Sequence, residues 1–256
     1  MKHLKRLMAL SMTIVMAGGL LAGCGGKSAG DSGEAGSELV MATNAAFPPY
    51  EFVDSGEYKG IDVEIAGKIA EKLDRELVIQ DVAFDSIIAG VQSGKYDMGM
   101  AGMTVTDERK QSVNFSDTYA TGIQSIIVKK GSAIKTVDDL SKKTRIGVQQ
   151  GTTGDLYASD DYGSDAVTKF KNGADAVQAL VKDKVDCVII DDEPAKSFVE
   201  ANEGLEILKT SYTKEDYAIC MAKENDALLK QVNEALAELK ADGEIDKIVG
   251  KYITTE

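Results

Sequence analysis

Residues 84–110 read FDSIIAGVQSGKYDMGMAGMTVTDERK, and this stretch decides the fold. Apolar residues at helical spacing over 85–93 predict a helix, with Asp85 as its N-cap and Gly94 just past its end. The short apolar run at 98–101 predicts a strand, and Thr106 can cap a new helix. Helix, turn, strand and helix in this order are typical of parallel sheets covered by helices.

The same alternation continues on both sides of this stretch. Apolar runs predict strands at 39–42, 77–79, 123–129, 146–148, 167–170, 185–190 and 217–222. Residues with one apolar face predict helices at 63–73, 174–181 and 225–239. The chain is therefore expected to form an α/β protein, either as one large domain or as two lobes of about 110 residues each.

A weak internal repeat occurs at an offset of 89 residues. Asp97 and Met98 correspond to Asp186 and Cys187, each pair opening a strand after a helix and a tight turn. At the end of these strands, Gly102 corresponds to Asp191. Ligands of open α/β sheets collect beyond the carboxyl ends of strands, so we expect both residues to face one cleft.

The first 23 residues have the pattern of a secretory signal. Lys2, Lys5 and Arg6 precede an uncharged run over 7–21, which is shorter than the roughly 20 residues of a membrane span. A short N-terminal anchor helix is the alternative. Removal of 23 of the 256 residues leaves 233, and loss of three positive charges changes the net charge from −13 to −16.

The composition of the remaining chain excludes several functions. The one histidine of the sequence, His3, lies in the leader. A Ser-His-Asp triad, a Cys-His dyad or a histidine-ligated metal site therefore cannot form within the mature chain. The strong negative charge also disfavours nucleic acid as a partner, because it would repel phosphates.

Residues 21–24, LAGC, resemble the bacterial lipoprotein box. In that family a lipid joins the cysteine and the signal is removed just before it, which would place the lipid on Cys24. The alternative is an ordinary signal with a free Cys24. Residues 24–37 are rich in Gly, Ser and Ala and predict a flexible tether behind the anchor.

Cys187 and Cys220 lie in apolar runs and are interpreted as buried thiols, although the sequence also allows a disulfide between them.

Arg109 is the candidate for binding a carboxylate. It lies where a strand end passes into a helix capped by Thr106, so a guanidinium and free backbone N–H groups would be close together. A surface ion pair with Asp107 or Glu108 is the alternative interpretation. Gly151-Thr152-Thr153-Gly154 (GTTG) follows a predicted strand and can offer N–H groups to an anion, or it is a plain strand-to-helix turn.

Other side chains at strand ends suit the remaining parts of a zwitterion. Asp191 or Asp192 could bind an ammonium, unless it forms a buried ion pair instead. The aromatic residues Phe47, Tyr50 and Phe84 could form pocket walls, although core packing is the usual role of such rings. These groups together predict a receptor for a zwitterion, with no catalytic pair, no metal and no cofactor.

The sequence resembles the polar-amino-acid solute-binding proteins of bacterial ABC importers, family 3, with the type II periplasmic-binding-protein fold. The resembling segments are ATNAAFPPYEF (42–52), GIDVEIAGKIAEKL (60–73), 84–110 as quoted above, VNFSDTY (113–119), IGVQQGTTG (146–154) and VDCVIIDDEPAK (185–196). The resemblance implies an α/β fold of two lobes, each a mostly parallel sheet flanked by helices. It also implies two crossing strands, at 125–129 and 217–221, and closure of the lobes on a ligand like a hinged trap. Lobe 1 would comprise 38–125 plus 218–256, and lobe 2 would comprise 126–217.

The resemblance also assigns roles to residues. Arg109 would bind the α-carboxylate, helped by the amides of Thr104 and Thr153. The α-ammonium would be bound by the Gly102 carbonyl, the Thr104 hydroxyl and Asp191. Phe47 and Phe84 would enclose the side-chain stem, and Asn44, Glu51 and Gln149 would contact its end. Tyr50, Met103, Thr152 and Asp192 complete the expected set of ligand-binding residues.

Two positions depart from the family pattern. Asn44 stands where many members have Asp, which weakens a salt bridge to a basic side chain, although Glu51 could substitute. The DDEP segment carries one residue more than the common form, so Asp191 and Asp192 compete for the ammonium. The 89-residue offset favours Asp191.

The expected function is that of a lipid-anchored, extracytoplasmic receptor. It would bind a polar or basic amino acid and deliver it to an ABC permease, as a monomer. The alternatives are an enzyme on the same fold, such as a dehydratase that uses Glu51 as a poised carboxylate, or a sensory or surface ligand-binding protein.

Overall fold

A computed structural model describes residues 38–209 and 212–253. The predicted signal (1–23) and lipid-bearing tether (24–37) lie outside the described residues. The described strands are β1 (Glu38–Thr43), β2 (Ala46–Phe47), β3 (Glu51–Asp54), β4 (Glu57–Lys59), β5 (Glu76–Asp81), β6 (Met98–Gly99), β7 (Val113–Phe115), β8 (Ala120–Lys129), β9 (Ile146–Gln149), β10 (Val167–Phe170), β11 (Cys187–Asp191), β12 (Leu205–Ile207), β13 (Thr213–Tyr217) and β14 (Cys220–Ala222). The described helices are α1 (Ile61–Lys72), α2 (Ile87–Gln92), α3 (Asp107–Ser112), α4 (Thr153–Tyr162), α5 (Gly173–Val181), α6 (Asp192–Ala201), α7 (Asp226–Ala241) and α8 (Glu244–Tyr252).

The first sheet has five strands in the order β5-β1-β6-β14-β7. β5, β1 and β6 run parallel, whereas β14 is antiparallel to both of its neighbours. Helix α1 buries Ile65 and Ile69 in a core that it shares with Leu236 of α7 and Ile248 of α8. This face follows from the spacing of four between the apolar residues of α1, which places them on one side of the helix.

The second sheet has the order β10-β9-β11-β8-β12, and β13 also pairs with β8. β10, β9 and β11 run parallel, and the remaining pairs are antiparallel. Every residue of β11 is buried, because helices cover both faces of this central strand. The α/β class with sheets flanked by helices is thus confirmed, and both sheets are mixed.

The chain passes between the two sheets twice. It leaves the first sheet after β7, enters the second at β8, and returns between β13 and β14. The expected first crossing at 125–129 lies inside β8, so the passage itself comes earlier, at 116–119. The predicted lobes, 38–125 plus 218–256 and 126–217, stay a prediction.

The prediction of one continuous strand over 217–222 is wrong. β13 ends at Tyr217 and β14 begins at Cys220. Between them the Ala218 N–H donates to the Met103 carbonyl at 3.1 Å, and the Ile219 N–H donates to the Ser116 hydroxyl at 3.0 Å. The ladder breaks because the chain changes partner sheets at this point.

Residues 84–110 fold nearly as their sequence pattern indicates. Thr106 caps α3, since its hydroxyl oxygen accepts from the Arg109 N–H at 3.1 Å. Asp85 is not an N-cap, which corrects that prediction: residues 84–86 form a 3-10 turn, and Ser86 precedes α2 without a side-chain cap. The small antiparallel sheet β2-β3-β4 was not predicted.

The 89-residue repeat has a structural basis. The carboxylate of Asp97 accepts from the Val40 N–H at 2.8 Å, and that of Asp186 accepts from the Arg145 N–H at 2.8 Å. Each aspartate therefore ties the start of its strand to the neighbouring strand in the same way. Gly102, which follows β6, and Asp191, which ends β11, line the same cavity.

The two cysteines of the described region agree with the favoured interpretation of them. Cys187 and Cys220 are free and buried, as the favoured interpretation of them had it, and they belong to different apolar clusters. Across residues 38–209 and 212–253, no helix combines the length and apolar character that crossing a membrane requires.

Candidate functional site

A cavity of about 310 Å³ lies between the strand ends of the two sheets. This volume includes space that is open to solvent. Its walls come from both sheets: Phe47, Glu51, Phe84, Ala101, Gly102, Thr104, Arg109, Gln149, Thr152, Thr153 and Asp191. Gly102 and Asp191, the two residues related by the repeat, both line it.

Arg109 is held in the first turn of α3 and is buried, with 7% of its surface exposed. Its Nη1 donates to the Thr104 carbonyl at 2.7 Å and its Nη2 donates to the Gly151 carbonyl at 3.0 Å. The Phe84 ring lies 5.4 Å from the guanidinium carbon. The surface ion pair considered as an alternative is wrong, and three of the five guanidinium N–H groups are left for another acceptor.

The GTTG turn leads directly into α4. The Thr152 hydroxyl oxygen caps this helix by accepting from the Asp155 N–H at 3.3 Å. Gly151 has a φ of +77°, a backbone conformation that glycine adopts without strain. Thr153 is the first residue of α4, and the first N–H groups of a helix have no intrahelical acceptor. The helix start therefore faces the cavity beside Arg109 with unused donors.

Gly102 requires the absence of a side chain. Its φ is +52°, and a Cβ at this position would lie 2.8 Å from the ring of Phe47. Its N–H donates to the Asp62 carboxylate at 2.8 Å. The left-handed turn sends the chain from β6 along the cavity wall, which brings Thr104 into the wall as well.

Asp191 is the carboxyl group at the end of β11, with only 6% of its surface exposed. Tyr217 donates a hydrogen bond to its Oδ1. Burial raises the pKa of Asp191 to about 7, because the charged form loses its hydration. Asp192 does not line the cavity, and its carboxylate lies 3.6 Å from the Lys196 ammonium at the start of α6.

Glu51 and Asp62 form a second acidic group at the opposite side of Gly102. Burial raises the pKa of Glu51 well above its ordinary value, and the charge and hydrogen bond of Asp62 raise it further. Burial likewise raises the pKa of Asp62 to about 6. One oxygen of each carboxyl has no hydrogen-bond partner among the described residues. Burial therefore disfavours the charged form of both carboxyls.

Four predicted site residues lie behind or beside the cavity wall. Asn44 accepts from Gln149 Nε2 at 2.9 Å and so supports a residue of the wall. Tyr50 packs edge-on against Tyr217, with ring centroids 5.2 Å apart. Met103 is fully buried in the core, and Asp192 is turned to Lys196.

Sequence reasoning missed Ala101 in the wall and a layer of polar residues behind it: Asp62, Tyr119, Gln124, Glu215 and Tyr217. The available signal was the alternation of β13, which places Glu215 on the same buried face as Tyr217. Nothing in the pattern of α1 distinguishes Asp62 from an ordinary acidic residue in a first helical turn. Within the described part of the chain, no cluster of three or more possible metal ligands is present.

Two helix-covered sheets with a polar cavity between their strand ends define a two-lobed solute-binding protein. Residues 39–255 match the family described as bacterial extracellular solute-binding proteins, family 3, and the chain belongs to this family.

Individual similar proteins support the same family assignment. The probable histidine-binding protein of Neisseria gonorrhoeae is 33% identical over 245 residues, covering 92% of this chain and 91% of that protein. The arginine-binding extracellular protein ArtP of Bacillus subtilis (strain 168) is 33% identical over 243 residues, covering 92% and 93%. The crystal structure of the substrate binding protein of an amino acid ABC transporter is 37% identical, with a TM-score of 0.81, and covers 86% of this chain and 100% of that chain.

Proposed function

We propose that this chain is an extracytoplasmic receptor that binds one polar or basic amino acid between its sheets and delivers it to an ABC permease. The observation that carries the proposal is one cavity bordered by the buried guanidinium of Arg109 and the buried carboxyl of Asp191. An α-amino acid carries the matching pair of charges on one carbon. The names of the relatives, which bind histidine or arginine or serve an amino acid transporter, support the same class of ligand.

The α-carboxylate is assigned to Arg109 and the start of α4. A guanidinium offers two parallel donors to a carboxylate, and the N-terminus of a helix adds N–H groups and a favourable dipole. The two carbonyls that Arg109 already contacts fix its plane, so its orientation does not depend on the ligand. The guanidinium also lies over the Phe84 ring.

The α-ammonium is assigned to Asp191, the Gly102 carbonyl and the Thr104 hydroxyl. All three residues line the cavity. A bound ammonium stabilises the charged form of a buried carboxyl, so the ligand would lower the raised pKa of Asp191.

The end of the ligand side chain is assigned to Glu51 and Gln149, with Phe47 and Phe84 along its stem. Gln149 is held by Asn44 behind it. Glu51 brings a carboxyl to this end of the cavity, where it can accept a hydrogen bond from a cationic or amide side chain. Asn44, neutral where many family members have Asp, leaves Glu51 as the acidic group of the wall.

The location of the receptor is proposed from the sequence outside the described residues. Residues 1–23 would direct export, Cys24 would carry the lipid, and residues 24–37 would hold the receptor off the membrane surface. Such a receptor would act as a monomer of two lobes, 38–125 plus 218–256 and 126–217. The proposal assigns it no catalytic residue, metal or cofactor.

Replacement of the cavity arginine tests the proposal. In isothermal titration calorimetry with the amino acids selected by a thermal-shift screen, Arg109→Ala should weaken binding by about 30-fold to several thousand-fold. The reason is that truncation of one partner of a buried charge pair costs about 2–5 kcal/mol.

Arg75→Ala is the matched control. Arg75 follows α1, outside the cavity wall, so binding should be unchanged in this variant. Wild-type affinity in Arg109→Ala, or no amino acid that stabilises the wild-type protein against heat, would refute the proposed function.

A further inference from the structure

Glu215 is a buried carboxyl group directly behind the cavity wall. It lies in β13 opposite Gly122 of β8, and 5% of its surface is exposed. A carboxylate in such a place is costly unless hydrogen bonds or a cation compensate its lost hydration. The partners of Glu215 therefore indicate what this group does.

Three neutral donors converge on one oxygen of this carboxylate. Oε2 accepts from the Thr104 hydroxyl at 3.0 Å, from the Thr153 hydroxyl at 2.9 Å and from Gln124 Nε2 at 2.9 Å. Thr104 follows β6 of the first sheet, whereas Thr153 opens α4 beside the second sheet. The acceptor thus orders one hydroxyl from each side of the cavity.

The direction of these hydrogen bonds decides what the cavity offers. A threonine hydroxyl has one proton and two lone pairs. The protons of Thr104 and Thr153 are donated backwards to Glu215, although both residues line the cavity. Thr153 also accepts from Gln124 Nε2 at 3.4 Å, which leaves one lone pair on Thr153 and two on Thr104. Towards the cavity these hydroxyls can therefore only accept hydrogen bonds.

The charge of Glu215 adds to this effect. Burial lowers the pKa of Arg109, and the Glu215 charge opposes that lowering. Burial raises the pKa of Asp191, and the Glu215 charge raises it further. The second oxygen of Glu215 has no hydrogen-bond partner among the described residues. The region between Thr104, Thr153 and Asp191 consequently favours a cation that can donate hydrogen bonds.

We propose that Glu215 is a positioning residue for the ligand ammonium. It holds the protons of Thr104 and Thr153 away from the cavity, so that both hydroxyls present only lone pairs to the ligand. The protein thereby selects acids with an α-ammonium over the same acids without it. This role rests on the proposed amino-acid receptor, and it assigns Glu215 an effect on selectivity without any contact to the ligand.

The test compares each amino acid with its des-amino counterpart. The probes are L-arginine with 5-guanidinopentanoate, L-lysine with 6-aminohexanoate, L-histidine with imidazolepropionate and L-glutamine with glutaramate. The quantity measured by calorimetry is the ratio of the Kd of the des-amino acid to the Kd of the amino acid. Glu215→Gln, which keeps the shape but removes the charge and adds a donor, should lower this ratio by about tenfold.

Glu206→Gln is the matched control. It makes the same substitution in β12, which also pairs with β8, at a residue outside the cavity wall. The ratio should be unchanged in this variant. A ratio within about twofold of the wild-type value in Glu215→Gln would overturn the positioning role.

A double-mutant cycle separates this role from a purely structural one. In the background Thr104→Val with Thr153→Val, the hydroxyls are absent, so Glu215→Gln should change the ratio by less than about twofold. An undiminished effect in that background would overturn the proposal. If Glu215→Gln does not fold, the Thr104→Val and Thr153→Val pair alone should lower the ratio, and an unchanged ratio would overturn it equally. If the thermal-shift screen selects another amino acid, that acid and its des-amino counterpart replace these probes; failure of every amino acid in the screen to bind the wild-type protein would instead refute the proposed function.

Discussion

At the scale of single residues, the cavity is defined by charged groups that are removed from water. Arg109 keeps its charge beside two carbonyl oxygens, whereas Asp191 is bonded to a tyrosine hydroxyl. In the proposed receptor the first binds the anionic group of the ligand and the second binds the cationic group. Because burial acts against the charged form of both groups, a ligand that carries both charges gains more here than it would at an exposed surface.

Asp191 should make the stability of the ligand-free protein depend on pH. Its pKa is about 7 in the folded chain against an ordinary value of 3.8, so between these values the folded chain binds more protons than the unfolded chain. The free energy of unfolding should therefore fall as pH rises through this window, by up to about 1.4 kcal/mol per pH unit for this group. Asp191→Asn should remove this part of the slope between pH 6 and 7, as measured by urea unfolding.

Asp186→Asn is the control for this measurement. Its hydrogen bond to Arg145 lowers the pKa of Asp186, so the group is ionised in both folded and unfolded chains across the same window. The slope should stay the same in this variant. Equal slopes for the wild-type protein and Asp191→Asn would contradict the assignment.

The role of a side chain could be predicted where one short segment contains both the side chain and the backbone that positions it. Arg109 was found because its cap, its helix and its strand end are contiguous in TVTDERK. Glu215 was not found, because it meets Thr104 from a position 111 residues away. Its burial depends on the pairing of β13 with β8, which no local pattern specifies.

At the scale of elements, α3 positions Arg109 and depends on its cap. This helix has six residues and is too short to be stable by itself. The Thr106 hydroxyl satisfies the Arg109 N–H in its first turn. The Thr106 side chain therefore helps to fix the backbone that carries the guanidinium, together with the hydrogen bond from the Lys110 N–H to the Thr106 carbonyl at 2.9 Å.

Removal of this cap should weaken both stability and binding. We expect Thr106→Ala to lower the free energy of unfolding by about 1 kcal/mol, because the first turn loses an acceptor. Its affinity for the amino acid should fall as well, since Arg109 is the residue whose N–H is released. Urea unfolding and calorimetry measure the two effects. Thr106→Ser retains the hydroxyl and should behave like the wild-type protein; similar losses in both variants would contradict the capping role.

Elements with strong local patterns were predicted well, and those set by partners were not. The strands β1, β9 and β10 and the helices α1, α5 and α7 lie where apolar periodicity placed them. The break between β13 and β14 depends on a change of partner sheet, which apolar residues on both sides of it conceal. The 3-10 turn at 84–86 likewise follows from how Phe84 enters the cavity wall, not from the capping tendency of Asp85.

At the scale of the whole molecule, hydrogen bonds join the two sides of the cavity, and three of them lie away from the contact of Thr104 with Glu215. They run from Arg109 Nη2 to the Gly151 carbonyl, from Gln149 Nε2 to Asn44 Oδ1, and from Gln150 Nε2 to Asp85 Oδ2 at 2.7 Å. If the two lobes open as the family resemblance implies, all three bonds would break. The free energy of closure would then be shared between the ligand and these direct contacts.

Gln150→Ala should accelerate ligand release without changing the site. Gln150 does not line the cavity, but its bond to Asp85 closes the rim. Loss of one such hydrogen bond should raise the dissociation rate by roughly two- to tenfold in stopped-flow measurements. Gln178→Ala is the control, because Gln178 bonds to Asn202 within one side of the molecule. An unchanged dissociation rate in Gln150→Ala would show that this contact does not contribute to closure.

The sequence by itself determined the α/β class, most strands and helices, and seven residues of the cavity wall, including Arg109 and Asp191, whereas Glu51, Thr104 and Gln149 were expected only from the family resemblance. These follow from local periodicity, helix caps and strand ends, which are encoded within a few residues of one another. The tertiary structure placed Asp191 rather than Asp192 in the wall, as the 89-residue offset had favoured, and it alone decided the burial of Glu51 beside Asp62 and the hydrogen bonds of two threonine hydroxyls to Glu215. Each of these depends on burial and on partners from distant segments, because the charge state of a group and the direction of a hydrogen bond are set by neighbours in space.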